Sequence, residues 1–114
     1  MIERVVSFGS KHGFPPNHPS VVCIDVREHM VRNPWSVPAL RNLTGMDPVV
    51  QQWIEIDSRM PQKIATFVRM AQGIMNKSEV WLYCTGGRHR SVYVAEKVAE
   101  ALGVRAEHRD LGRE

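Results

Sequence analysis

The sequence has only two cysteines in 114 residues and no long apolar run, and each shortage excludes a class of protein. Cys23 and Cys84 lack the paired spacing of a disulfide scaffold or a structural zinc site. A stretch of about 18 or more apolar residues, which a membrane span needs, is missing, and no secretory leader follows Met1. We therefore expect a cytoplasmic protein without a membrane segment, a metal site or another cofactor.

The charge is mildly basic and unevenly distributed. The formal net charge is +3, which permits binding to a polyanion without requiring it. Arginine and histidine gather at positions 88–90 and again between positions 105 and 113, whereas acidic residues are spread along the chain. The C-terminal third is therefore the part of the chain that favours an anionic ligand.

The distribution of Val, Ile, Gly and Pro predicts the secondary structure. Short runs rich in Val and Ile at residues 4–8 and 21–26 and a compact apolar run at residues 80–84 are typical of buried strands, and residues 106–110 are a final candidate strand. Apolar residues at helical spacing predict a short helix after Asp47 and Pro48, a second from about residue 61 to Met75, and a third over residues 91–102. Asp47 is expected to cap the first helix, and Gly103 to end the last.

Strands that alternate with helices predict an α/β fold, in one domain spanning residues 1–114. We expect a small, mainly parallel sheet of about four strands with helices on both faces. Cys23, Trp53, Phe67 and Trp81 are expected in the core, whereas Trp35 follows Asn33-Pro34 in a loop and is expected to be exposed at a site or interface. Ligands of such sheets bind beyond the carboxyl ends of the strands.

Residues 84–91, Cys-Thr-Gly-Gly-Arg-His-Arg-Ser, connect the third strand to the last helix. Their two glycines remove Cβ atoms from the turn, so the N–H groups of residues 85–89 can converge on one anion. The helix N-terminus adds positive charge, Arg90 offers paired donors suited to phosphate oxygens, and Ser91 is expected to cap the helix. The sequence thus predicts a phosphate-binding loop of Cys84, Thr85, Gly86, Gly87, Arg88, His89, Arg90 and Ser91.

The same loop also fits a second chemistry. Cys followed five residues later by Arg and then Ser is the pattern of cysteine-dependent phosphatases, in which a thiolate attacks phosphorus. In this alternative Cys84 is the nucleophile and Arg90 stabilises the transferring phosphoryl group. Tyr83 stands where those enzymes usually carry His, and only Asp25 and Asp47 are acids in plausible loops. A third alternative is a domain that only binds partner proteins.

Further short motifs follow one another in a fixed order along nearly the whole chain. They are Ser7-Phe8-Gly9 with Lys11 and Gly13, Asp25-Val26-Arg27, Asn33-Pro34, Leu43-Thr44-Gly45 with Asp47, Cys84-Thr85-Gly86-Gly87 with His89-Arg90-Ser91-Val92-Tyr93, and His108-Arg109. In these residues the sequence resembles the C-terminal domain of the RapZ family of bacterial RNase adaptor proteins. A P-loop nucleotide-binding domain precedes this domain in the family. No Gly-rich Lys-Ser/Thr motif occurs here, so we expect the sensor half alone, without nucleotide hydrolysis.

The resemblance implies a homo-oligomeric sensor and adaptor domain without chemistry of its own. It implies binding of glucosamine-6-phosphate and of a structured small RNA that is presented to an endoribonuclease. Thr85, Gly86, Gly87, His89 and Arg90 are implied to hold the sugar phosphate. The residues implied to face the same cleft are Ser7, Gly9, Lys11, His12, Asp25 and Arg27. Asp25 and Arg27 also fit a structural ion pair.

RNA binding is implied for Lys11, Arg88, His108, Arg109 and Arg113. The family's RNA-binding end is an extended tail rich in Lys and Arg, whereas this sequence ends in Leu-Gly-Arg-Glu. Fewer cations release fewer counterions, so a shorter basic tail predicts weaker RNA binding. An insertion at residues 28–32 also alters the rim of the cleft relative to the family.

Overall fold

A computed structural model of the protein describes residues 1–30, 32–73 and 76–113. At its centre, the described residues form a four-stranded sheet of β1 (Arg4–Gly9), β2 (Val21–Asp25), β3 (Glu79–Cys84) and β4 (Ala106–His108). The spatial order is β2-β3-β1-β4, and every neighbouring pair is parallel. The predicted α/β class and the parallel sheet of four strands are therefore confirmed.

The helices are α1 (Pro38–Arg41), α2 (Pro48–Glu55), α3 (Met60–Gln72) and α4 (Arg90–Leu102), with short 3-10 turns at Ser10–His12 and Pro34–Ser36. Proline stands in the first turn of α2 and of α3, where the missing N–H is not needed. Gly103 ends α4 as predicted, with a left-handed φ of 74°. Ile74 and Met75, which extend the predicted stripe of α3, lie outside the described residues. None of the described helices is long and apolar enough to cross a bilayer.

The prediction for the cap of α4 is wrong, and the prediction for the cap of α2 is correct in position but not in the side-chain bond. Ser91 lies inside α4 rather than at its cap, and His89 occupies the N-cap position. Asp47 is the N-cap residue of α2, but its side chain accepts no hydrogen bond from the first N–H groups of the helix. It accepts instead from the Thr44 N–H at 2.6 Å. The Asp47 carboxylate bonds to the loop before α2, and the Ser91 hydroxyl accepts from Cys84 at the end of β3.

The main core lies between one face of the sheet and the helices. It contains Val5, Ile24, Val80 and Leu82 from the strands together with Phe67 and Ala71 of α3 and Val94, Ala95 and Val98 of α4. A smaller cluster of Val6, Phe8 and Trp81 lies on the opposite face. Among the described residues, the helices contribute buried side chains to the main core alone. Helices were predicted on both faces of the sheet, but in the described residues they cover one face.

The second face is covered by a loop and by arginine side chains. The Phe14 ring packs against Phe8 and Tyr83, with centroid distances of 5.3 and 4.9 Å. The Arg109 guanidinium lies over Phe8 at 5.0 Å from the ring centroid. Cys23 projects from the edge strand β2 and is exposed, so its predicted place in the core is wrong. Aromatic packing and cation–π contacts here replace the helix layer that parallel sheets normally need.

The strand register determines where a ligand can bind. Gly9 of β1 pairs with Cys84 of β3, and Asp25 of β2 pairs with Tyr83. Because all strands are parallel, these residues lie together at the carboxyl edge of the sheet. The loop of residues 85–89 leaves this edge and leads into α4, so it is flanked by the segments that follow β1 and β2.

Candidate functional site

A cavity of about 570 Å³ opens at the carboxyl edge of the sheet. Its lining residues are Lys11, Asn33, Trp35, Asn42, Cys84, Thr85, Gly86, Arg88, His89, Arg90 and Arg113. They come from the loop before α4, from the turn after β1, from the segment before α2 and from the C-terminal turn. Among the residues that the structure describes, the lining contains four Lys or Arg residues and no Asp or Glu, which favours an anionic ligand.

The loop takes its shape from close packing against the end of β1. Gly87 has a left-handed φ of 70°, and a Cβ at this position would lie 2.5 Å from the Gly9 nitrogen. A Cβ at Gly9 would in turn lie 2.7 Å from the Gly87 nitrogen. Glycine is needed at both positions because backbone occupies the space that a side chain would fill.

Several amide groups of the loop have no acceptor among the described residues. Within the described ranges, the N–H groups of Thr85, Gly86, Gly87 and His89 donate to no backbone or side-chain acceptor. The Thr85 carbonyl accepts from the Lys11 N–H at 3.1 Å, which connects the loop to the 3-10 turn after β1. The loop therefore presents donors without an acceptor in the described part of the chain, and a ligand or water can accept from them.

Arg90 is a buried cation at the wall of this cavity. Arg90 is 7% exposed, and its Nη1 donates to the Met30 carbonyl at 2.9 Å. No carboxylate of the described residues forms an ion pair with it. Burial lowers the pKa of the Arg90 guanidinium below its ordinary value, but arginine remains protonated in proteins. Within the described residues the site therefore holds a buried guanidinium that forms no ion pair, and the charge of Asp25 acts on it only from beyond contact distance.

Cys84 and Ser91 contact each other at the base of the cavity. The buried Cys84 thiol donates to the Ser91 hydroxyl, with 3.2 Å between Sγ and Oγ. Both residues are buried, and only Cys84 lines the cavity. The fixed partner of Ser91 explains why this residue does not cap α4.

Asp25 and Arg27 form an ion pair at the edge of the site. Arg27 Nε donates to Asp25 Oδ1 at 3.0 Å, and Nη2 donates to Oδ2 at 2.9 Å. The remaining Arg27 Nη1 donates to the Thr85 hydroxyl at 3.1 Å. The hydrogen bonds from Arg27 hold the pKa of Asp25 below its usual range. The pair thus holds Thr85, the first residue of the loop, through the bond from Arg27. Neither Asp25 nor Arg27 lines the cavity.

The side chains of Arg88 and His89 tie the loop to the segment before α2. Arg88 Nε and Nη2 donate to the carbonyls of Leu43 and Asn42, at 3.0 and 2.8 Å. The buried His89 ring donates from Nε2 to the Leu40 carbonyl at 3.1 Å. Both side chains line the cavity, but their polar atoms contact protein carbonyls.

Three of the residues implied for RNA, His108, Arg109 and Arg113, hydrogen-bond to neighbouring side chains. His108 contacts the Ser7 hydroxyl through Nδ1 at 2.7 Å and Glu96 through Nε2 at 3.3 Å, so Ser7 is directed away from the cavity. Arg109 and Arg113 both donate to the buried carboxylate of Asp110. Of the implied RNA-binding residues, Lys11, Arg88 and Arg113 line the cavity.

The structure also adds residues that sequence reasoning missed. Asn42 and the Met30 carbonyl contribute to the site, and Asp110 anchors the C-terminal turn behind it. The adjacent Arg109 and Asp110 could have indicated an ion pair in the sequence. The role of the Met30 carbonyl could not have been predicted, because any residue has a backbone carbonyl. Trp35 is 51% exposed at the cavity wall, which confirms its predicted exposure. The His12 Nε2 atom is buried without a partner in the described chain and lies outside the cavity lining.

Comparison with known proteins identifies the family. The RapZ C-terminal domain family matches residues 1–112. A nucleotide-binding protein of Thermus thermophilus is 40% identical over 97% of this chain and 43% of its own length. Similar proteins of Thermotoga neapolitana and Kocuria rhizophila are 38% and 36% identical over 95% and 96% of the chain, and 42% and 40% of their own lengths. The chain spans about two fifths of these relatives, and it belongs to the RapZ C-terminal domain family.

Proposed function

We propose that this domain binds a phosphorylated small molecule at the loop of residues 84–91 without transforming it. The observation that carries the proposal is the buried Arg90 guanidinium, which faces a cavity and has no carboxylate partner among the described residues. A buried charge is costly unless it is paired and hydrogen-bonded. An anionic ligand supplies the missing counter-charge.

The neighbouring backbone favours a phosphate as that anion. The amides of Thr85, Gly86, Gly87 and His89 have no acceptor in the described chain, and each unsatisfied donor has a free-energy cost unless water or a ligand accepts from it. A phosphoryl group has several acceptor oxygens and two negative charges, which match an arginine and a set of amides at a helix N-terminus. Lys11 lies beside Gly86 and can add a second cation.

A phosphosugar such as glucosamine-6-phosphate is the ligand class that we propose. The cavity is larger than a phosphate ion needs, and it extends to the exposed Trp35 ring and the side chains of Asn33 and Asn42. Asparagine amides donate to and accept from sugar hydroxyls, and an aromatic ring offers an apolar surface to a sugar ring. The family relationship supports the same choice.

Calorimetry tests this proposal. Wild-type protein should release heat with glucosamine-6-phosphate and more weakly with inorganic phosphate, but not with glucosamine, which lacks the anion. Arg90→Met should abolish both signals, since it removes the buried charge. Arg69→Met removes an arginine on α3 away from the cavity and should bind as the wild type does. No heat with either phosphate compound at millimolar concentration would refute the proposal.

RNA is proposed as a second, weaker ligand, because the family relationship implies it. The basic groups implied for this role are mostly engaged, with Arg109 and Arg113 held by Asp110 and Arg88 by backbone carbonyls. Gel shifts with a structured RNA should therefore show weak binding that decreases steeply as salt rises. Light scattering of the same samples tests the proposed homo-oligomer, and pull-down with an endoribonuclease tests the adaptor role.

A cysteine-dependent phosphatase is the second candidate function. The Cys84 thiol at the cavity wall, hydrogen-bonded to Ser91, favours it, because a hydroxyl at that position can stabilise a thiolate. The carboxylates considered for proton transfer are engaged elsewhere, Asp25 with Arg27 and Asp47 with Thr44. Turnover of an aryl phosphate by the wild type and its loss in Cys84→Ser would support a phosphatase, whereas an inactive wild type would exclude this activity.

A further inference from the structure

The Asp110 carboxylate is the most heavily engaged acid in the described chain. Its side chain is fully buried and accepts from the Gly9 N–H at 2.7 Å. Arg109 donates to it from Nε at 3.0 Å and from Nη2 at 2.9 Å, and Arg113 donates from Nη1 at 3.0 Å. One carboxylate therefore links the end of β1 to the C-terminal turn.

The hydrogen bond from the Gly9 N–H to Asp110 affects the position of the loop before α4. Gly9 packs against the backbone of Gly86 and Gly87 so closely that neither Gly9 nor Gly87 has room for a Cβ. A carboxylate that fixes the Gly9 peptide therefore also fixes one wall of the loop that presents the free amides. The Gly9 N–H donates to Asp110 in a charge-assisted hydrogen bond, which adds to the pairing of Gly9 with Cys84 in the sheet.

The bond to Arg113 bears on the cavity itself. The Arg113 side chain is 55% exposed, lines the cavity and uses Nη1 for Asp110. Its other guanidinium nitrogens donate to no acceptor in the described residues, so they are available at the cavity wall. Arg109 has a different role, because it also donates to the Gly13 carbonyl and covers the Phe8 ring.

We propose that Asp110 is a positioning residue of the phosphate site and that Arg113, held by Asp110, is a ligand-binding residue rather than an RNA-binding one. This inference rests on the proposed function. The C-terminal turn then forms part of the ligand site, and Arg113 joins Arg90 and Lys11 as a cation that contacts the bound anion. Burial alone would raise the pKa of Asp110, but the hydrogen bonds from Arg109 and Gly9 hold it below its usual value, so the carboxylate remains charged.

A thermodynamic cycle with inorganic phosphate and glucosamine-6-phosphate as probes tests this inference. Arg113→Ala should weaken binding about tenfold, which is the usual effect of losing one hydrogen bond to a charged group. Asp110→Asn, which keeps the shape of the side chain, should weaken binding at least as much. The double variant should bind like Asp110→Asn alone, because Arg113 acts only when Asp110 holds it. Arg105→Ala, an exposed arginine outside the cavity lining, should bind like the wild type.

Amide NMR supplies a readout that a loss of overall stability does not produce. In Asp110→Asn the Gly9 amide resonance should move upfield, whereas in Arg113→Ala it should stay within the wild-type range while affinity falls. Unchanged affinity in Arg113→Ala, or additive losses in the double variant, would overturn the inference while leaving the proposed function intact. A wild-type protein that binds neither probe would overturn both. If Asp110→Asn does not fold, the result for Arg113→Ala against Arg105→Ala still decides the role of Arg113.

Discussion

The backbones of Gly9 and Gly87 are in direct contact, although 78 positions separate them in the chain. Neither residue has room for a Cβ, and Gly87 also has a left-handed φ of 70°. The contact joins the end of β1 to the loop before α4. Two requirements for glycine, space and conformation, therefore meet at one point of the site.

The cost of a collision and the cost of a left-handed φ can be separated by comparing alanine at Gly87 with alanine at Gly103, another left-handed glycine. Gly103→Ala introduces strain alone, because φ is 74° and nothing lies within 4 Å of the added Cβ. It should lower the free energy of unfolding by about 1–2 kcal/mol. Gly87→Ala adds a collision with the Gly9 backbone and should cost clearly more, as well as weakening phosphate binding. Urea denaturation measures both variants, and equal losses would contradict the importance of the contact.

Removal of the buried charge at Arg90 should affect the ligand-free protein little. The guanidinium has lost much of its hydration without an ion pair to any carboxylate of the described residues, and an apolar side chain of similar volume avoids that cost. The free energy of unfolding of Arg90→Met should therefore stay within about 1 kcal/mol of the wild type, because among the described residues the substitution removes the bond to the Met30 carbonyl alone. Phe67→Ala, which empties a fully buried site, should cost about 3–5 kcal/mol. A loss of that size in Arg90→Met would show that Arg90 is structural.

Acidic pH should destabilise the protein through His89. Burial lowers the pKa of this imidazole, and the nearby positive charge of Arg88 acts in the same direction. As pH falls below about 6.5, the unfolded chain takes up a proton before the folded one does, so the free energy of unfolding decreases. The contribution of His89 is thus complete above that pH and is lost as pH falls through the folded pKa.

Denaturation at a series of pH values checks this prediction. His89→Gln can still donate to the Leu40 carbonyl but does not titrate, so its stability should fall less steeply with acid than that of the wild type. His18→Gln replaces an exposed histidine and serves as the control. Identical pH dependence in the two variants would contradict the assignment.

The ion pair of Arg27 and Asp25 should matter more for binding than for stability. Both side chains are partly exposed, so Arg27→Ala should change the free energy of unfolding by less than about 1 kcal/mol. The loss of the Arg27 bond to the Thr85 hydroxyl should weaken phosphate binding several-fold, because the first residue of the loop is released. Arg59→Ala removes an Arg–Asp pair of the same spacing, with Asp57, outside the cavity. It should leave affinity unchanged, and equal effects of the two variants on affinity would refute the role of Arg27.

Local sequence patterns predicted the positions of strands and helices well, but predicted the contacts of individual side chains less well. The apolar runs and the helical stripes located both ends of β1, β2, β3 and α4 and the start of α3 to within one residue, because burial of an apolar face imposes a period of two or of 3.6. Asp47 was correctly placed at the N-cap of α2, but its side chain accepts from the nearby Thr44 N–H instead of a helix amide, and Ser91 lies inside α4, where it contacts the Cys84 thiol. Cys23 was placed in the core because its neighbours are apolar, but it lies on an edge strand beside a face without helices.

The sequence by itself determined the parallel α/β class, the glycine turn between a strand and a helix, and the family, because these depend on residue types at short and fixed spacing. Only the tertiary structure decided which charges are available. It gives Arg109 a carboxylate and backbone partners, holds His108 between Ser7 and Glu96, and leaves Arg90 buried without a counter-charge in the described chain. The physical reason is that ion pairing and burial depend on distances between residues far apart in sequence, which strand order and register set.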